Sequence, residues 1–334
     1  MRNIDELISR IKATVENHRL EQEGAYARWL WQDEKNSREL GINEYGCADA
    51  INLLYTINEF PRDFKSRENL IKVLQSLQDP ETGLFKEKTH HFIHTTAHCT
   101  AALELLDARP LYSFRGLEEY KSVEGLIQLL EGLNWEKSPW AGSHQGAGIY
   151  AALKLNEEID SQWEKAYFDW LWENADRQWG FWKKGIIGCP ETAPMYYYLA
   201  GGFHYMFNLE YAKQPLRYPE KIIDTCLALY DNNQIKSNFG QGIGFIDVDW
   251  IYTITRPLRQ SGYRREDCIT VLRKFAGEYL DWMYDIDYKS HDGFNDLHLL
   301  FGTSCALAEL QTALPGEIQT TKPLRLVLDR RPFI

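Results

Sequence analysis

An all-α chain folded as a double ring of six helical hairpins, (α/α)6, in a single domain is expected on three grounds. Short polar loops carrying glycine and an aromatic recur at 79–85 (DPETGLF), 136–142 (EKSPWAG), 177–182 (RQWGFW), 236–242 (KSNFGQG) and 290–296 (SHDGFND). Apolar segments rich in small residues begin near Glu44, Phe92, Ser143, Glu191, Asp247 and Asp296, at spacings of 48 to 56 residues. Segments of mixed charge with an apolar stripe alternate with them. A fixed period of this size marks stacked or closed helical units. No sustained period-two alternation signals a strand.

The elements follow in order. Residues 3–18 carry apolar positions at helical spacing and supply the first outer helix. Residues 19–43, with AYARWLWQ, form a long lead-in that is a candidate lid. Outer helices are expected near 65–78, 118–132, 161–175, 219–231 and 265–284, each with one face in water. The inner segments, such as HTTAHCTAALELL and LHLLFGTSCALAEL, are apolar or small nearly all round and belong in the interior. Pro61, Pro110, Pro190 and Pro219 fall at segment edges, where helices start or stop. The ring takes residues 1–318, and 319–334 form a C-terminal tail.

The formal charge of −11 disfavours nucleic acid and anionic membrane surfaces, both of which select basic footprints. No apolar run approaches the length of a membrane span, and the first residues lack the apolar stretch of a signal peptide, so a cytoplasmic location is expected. The six cysteines form no CxxC pair, and Cys47, Cys99 and Cys305 sit in apolar helical contexts as small hydrophobes. No metal site and no cofactor is expected, because no closely spaced ligand set appears. GQGIGF (240–245) follows no strand and is not a dinucleotide loop. The expected partner is a small molecule or an oligosaccharide.

Polar groups gather at the same relative place in every inner segment: Tyr45 and Asp49; His94 and His98; His144 and Gln145; Glu191 and Tyr196; Asp249 and Trp250; His298. Five of the nine histidines lie on inner segments, counting His204, although burying a titratable group has a desolvation cost. A structural reading competes at several positions. Asp247 and Asp296 stand where an N-cap is wanted, and Glu191 would suit the positive end of a helix dipole. The glycines of HQGAG and Gly201-Gly202 read as close helix packing. His94 and His98, four apart, project from one face. The intervening sequence lacks the Glu of HExxH, and no third ligand is evident.

This alternation of outer helix, Gly-aromatic loop and inner helix resembles the α/α-toroid superfamily over about residues 40–313. That group includes six-hairpin glycosidases, polysaccharide lyases, sugar epimerases and, more distantly, terpenoid cyclases. The resemblance implies a site at the mouth of the ring, where inner helices begin; it does not fix the chemistry. The expected activity is glycoside hydrolysis by paired carboxylates, with Asp49, Asp249 and Glu191 as candidates and His98 beside them. Tyr45, His94, His144, Gln145, Tyr196, His204, Trp250 and His298 would bind substrate, and Arg28 would meet an anionic group. Elimination or epimerisation by inner-helix histidines is the alternative. A cyclase resembling a DxDD motif finds only DVDW at 247–250, and a non-catalytic receptor is the remaining reading.

Overall fold

The computed structural model describes residues 1–32 and 38–334. The fold is all-α. The outer helices are α1 (Asp5–Asn17), α3 (Phe64–Ser76), α5 (Val123–Gly132), α8 (Ser161–Asn174), α10 (Pro219–Asp231) and α12 (Arg265–Asp285). The inner ones are α2 (Glu44–Thr56), α4 (Phe92–Leu105), the broken pair α6 (Pro139–Gly146) and α7 (Gly148–Leu155), α9 (Met195–Tyr211), α11 (Ile246–Ser261) and α14 (Leu297–Ala313), the last preceded by the single turn α13 (Asp292–Asn295). A two-residue parallel pair joins β1 (Arg2–Asn3) to β2 (Ile318–Gln319), and a short helix α15 (Val327–Arg330) follows. Among the described residues no helix is long and apolar enough to cross a membrane.

Local chemistry sets the helix starts. Asn43 Oδ1 accepts from the amides of Tyr45 at 2.8 Å and Gly46 at 3.3 Å, capping α2. Asp63, Ser122 and Asp160 cap α3, α5 and α8 in the same way. Capping side chains satisfy amides that have no partner inside the helix. Asp296 is an N-cap, as its position in sequence suggests, accepting from His298 N at 2.9 Å. Asp247 is not. It lies inside the first turn of α11, and its carboxylate accepts from Gly240 N at 2.7 Å instead. Glu191 also falls outside a helix: α9 begins four residues later, after Pro194, and Glu191 is exposed.

The inner helices touch in chain order. α2 packs on α4, α4 on α7, α6 on α9, α9 on α11, α11 on α14, and α14 returns to α2. Small residues permit these approaches. A Cβ on Gly46 would lie 2.5 Å from the backbone carbonyl carbon of Ala27, and one on Gly201 would lie 2.9 Å from the carbonyl oxygen of Pro139. The outer helices bury one stripe each; Leu7, Ile11 and Val15 of α1 are buried while the opposite face is in water.

Arg256 crosses the interior between α11 and α14. It is bidentate to Glu309 at 2.8 and 2.6 Å, reaches Asp329 of α15 at 2.7 Å, and lies 3.8 Å from the Tyr252 ring centre. This network anchors the C-terminal tail. The tail packs on the inner helices: Asn208 donates to Pro332 O at 2.7 Å, and Phe333 and Ile334 are buried.

Residues 33–37 of the lid candidate lie outside the described residues. Around them the lead-in is stitched to the body. Ala25–Trp29 are buried, Leu297 N donates to Arg28 O at 3.1 Å, and Asn295 Oδ1 accepts from Leu30 N at 2.8 Å and Trp31 N at 3.0 Å.

Candidate functional site

Helices α2, α4, α6, α9 and α14 bring Tyr45, His94, His144, His204 and His298 together, and His90 joins them from the turn before α4. The rings are in contact. His94 and His144 have centroids 4.6 Å apart, His144 and His204 4.9 Å, and His90 and His94 4.8 Å. Tyr45 stacks on His90 at 4.5 Å and meets the edge of His298 at 4.5 Å. Phe333 from the tail closes the cluster against His94 at 5.0 Å. His90 and His144 are only partly buried, so the cluster has a solvent-facing edge.

The i, i+4 pair separates into two groups. His98 turns to Asp49, with Nε2 to Oδ1 at 2.8 Å, and His298 Nδ1 meets the other oxygen at 3.1 Å. All three are buried. An ionised carboxylate only accepts, so each histidine carries its proton on the nitrogen facing Asp49. His298 Nε2 is thereby the bare nitrogen of a ring oriented by an acid, the arrangement used to prepare a general base. Burial pushes the Asp49 carboxyl up, but the two histidines outweigh it and hold it below the usual carboxylate range. Burial likewise lowers His298 to about 4, against the opposing pull of Asp49.

The second group is His94, His144 and His204. One ring nitrogen from each lies within 4.8 Å of the others. Tyr45 Oη sits 2.5 Å from His94 Nδ1, and Ser143 Oγ sits 3.0 Å from His204 Nδ1. Desolvation lowers all three, His204 to about 3 and the others well below the ordinary histidine range. These imidazoles are neutral at neutral pH.

Beside them lies an aromatic patch. Trp140 meets His144 edge-on at 6.4 Å, and Tyr196 and Tyr197 each at 6.2 Å. The Lys236 ammonium lies 4.7 Å from the Trp140 ring centre and 5.1 Å from that of Tyr197. Tyr196 donates to Asp249 Oδ2 at 3.0 Å, and Asp249 Oδ1 has no partner among the described residues. Burial holds Asp249 well above the carboxylate range and Asp247 at about 7.

Comparison of the chain with protein-family models, with curated proteins and with solved structures returns no match.

The other residues singled out from sequence go elsewhere. Arg28 is buried and bidentate to Asp296 at 3.0 and 3.1 Å, donates to Thr89 at 2.7 Å, and has Glu87 at 3.6 Å. Its charge is already matched, so it is no free receptor for an anion. Trp250 donates to Cys226 O at 3.0 Å and stacks on Tyr230 at 5.2 Å, facing the outer layer as core. Gln145 lines a groove with Tyr120, Gln128 and Asn134, between α5 and α6. Glu191, exposed outside α9, shares no interior position with Asp49 or Asp249. Sequence reading missed His90 and Lys236 as neighbours of the cluster. The adjacent histidines at 90 and 91 were the available signal for the first.

Proposed function

We propose that the chain is an (α/α)6 toroid that transfers a proton at carbon in an acidic sugar, as an epimerase or a lyase. The closed order of inner-helix packing supports the toroid reading. The observation that carries the chemistry is the Asp49–His298 dyad beside a cluster of neutral histidines. A base must be unprotonated and oriented at the operating pH, and His298 meets both conditions. Paired-carboxylate hydrolysis is less well supported, because both oxygens of Asp49 are engaged by histidines and Glu191 is exposed.

The Trp140–Tyr197 patch suits stacking against a sugar face. Lys236 above it suits a carboxylate. A carboxylate next to the reacting carbon makes that C–H bond more acidic, which is what a histidine base requires. His298 Nε2 would take the proton. Asp249, kept protonated by burial, is a candidate acid for returning one or for protonating a leaving oxygen.

The test is incubation with uronic-acid oligosaccharides in heavy water. Deuterium incorporation without mass loss indicates epimerisation, and unsaturated products absorbing in the ultraviolet indicate elimination. Either activity is expected to fall at least about 100-fold in His298→Ala, the usual scale of a lost general base. Products heavier by one water, with no exchange at carbon, would refute the reading.

A further inference from the structure

We infer that His94, His144 and His204 bind a divalent transition-metal ion of the zinc class, with an open coordination position toward solvent. The inference rests on geometry alone and holds whatever the substrate is.

Three consecutive inner elements, α4, α6 and α9, each deliver one imidazole to the same space, with a nitrogen from each within 4.8 Å of the others. Two of the rings are fixed from outside. Tyr45 Oη holds His94 at Nδ1, and Ser143 Oγ holds His204 at Nδ1. His144, half-buried, brings the third imidazole from α6. Three imidazoles that each offer a nitrogen to the same space suit one shared cation.

The outer contacts match this assignment. A ligating histidine characteristically gives its second ring nitrogen to a hydroxyl, carboxylate or carbonyl, which fixes its orientation. Zinc–nitrogen bonds of about 2.0–2.1 Å require the three nitrogens to draw in from their present separation. The half-buried His144 ring has the freedom to do so. Three protein ligands with one open position is the pattern of a catalytic rather than a structural zinc. Imidazole ligands admit zinc, copper, iron and nickel and disfavour magnesium and calcium.

The neighbouring Asp49–His98–His298 group is not a second such site. Its facing atoms are joined directly, at 2.8 and 3.1 Å, with a proton in each gap.

The full chain, stripped with a chelator and dialysed, should take up one Zn²⁺ per chain by elemental analysis. Co²⁺ should give visible d–d bands that Zn²⁺ displaces. His144→Ala should abolish the bands, and Tyr45→Phe should weaken Co²⁺ binding about 10–100-fold, the usual effect of removing an outer partner. His298→Asn should leave Co²⁺ affinity unchanged. His144 is the half-exposed ligand, so its variant is the one expected to stay folded, as circular dichroism would check. Folded protein that takes up far less than one ion per chain overturns the inference, and so does undiminished Co²⁺ affinity in His144→Ala. Proton exchange on sugars by protein that binds no metal would remove the metal and leave the proposed function standing. Stoichiometric metal without turnover of any sugar would do the reverse.

Discussion

Asp49→Asn is the sharpest test of the buried dyad. The carboxylate accepts two hydrogen bonds from histidine N–H groups, at 2.8 and 3.1 Å, at full burial. A hydrogen bond to a charged group contributes about 1.5–3 kcal/mol. Asparagine keeps one acceptor oxygen, now neutral, and turns an NH₂ toward the other ring. If that ring is His98, its proton must move to Nδ1, which is buried and has no partner among the described residues. A buried unsatisfied donor costs about 1–3 kcal/mol. If the ring is His298, Nδ1 must accept from the new amide and Nε2 carries the proton, so the base is lost. The expected destabilisation is about 3 kcal/mol either way, from one charge-assisted bond lost and one weakened. Urea unfolding at neutral pH, read as a shift in midpoint at unchanged slope, measures it. A loss under about 1 kcal/mol would mean the carboxylate is not ionised between two donors, and the dyad argument would fail.

Stability of the metal-stripped chain should respond to pH at both ends. The folded-state values of His204 and His298 lie at about 3 and about 4, so their contribution is full above the unfolded histidine value of 6.5 and is lost as pH falls toward 4 and below. The contributions are about 5 kcal/mol for His204 and about 3 kcal/mol for His298, and acid unfolding monitored by circular dichroism should begin below about pH 6. Asp247 runs the other way. Its folded value of about 7 gives stability that is full below 3.8 and is lost as pH rises through 7, so Asp247→Asn should exceed the native chain in thermal midpoint at pH 8 and match it at acid pH. Gly46→Ala should cost about 1–3 kcal/mol in chemical denaturation, since the new methyl meets backbone atoms of residues 26–28 that cannot yield singly. A neutral result would show that the segment carrying Arg28 is free to move. Arg256→Met should cost about 3–5 kcal/mol by leaving buried Glu309 with only the more distant Arg259 at 3.8 Å, and protease should then release the tail first.

Parts of the site are legible in the sequence and parts are not. His94, His98, His144, His204 and His298 stand out because imidazoles are costly on apolar helices. Their partition is invisible there. His94 and His98 are four residues apart, yet one joins His144 and His204 while the other joins Asp49 and His298, because each group is assembled from different neighbouring helices. The HTTAH stretch gives the first group only the His94 nitrogen, and the other two come from His144 and His204. Arg28 and Trp250 read as mouth residues from their positions in the lead-in and at the start of an inner segment. Their partners, Asp296 and the Cys226 carbonyl, lie far off in sequence or on an outer helix, so their commitment to structure is hidden. Asp247 and Glu191 depart from expectation for a local reason: helix starts inferred from one sequence carry an error of a few residues, and a cap role depends on one.

The helices, their division into wet and buried kinds, and their recurrence can all be read from the chain without its fold. Those properties depend on spacing over one or two turns and on the caps and small residues within each segment. Three things emerge only when the helices pack: which nitrogen faces which, the return of Phe333 from the tail to the histidines, and the use of Arg256 to bridge the interior to that tail. These facts turn on contacts between residues tens to hundreds apart, set by the approach of whole helices to within a few ångströms. No local pattern encodes that approach.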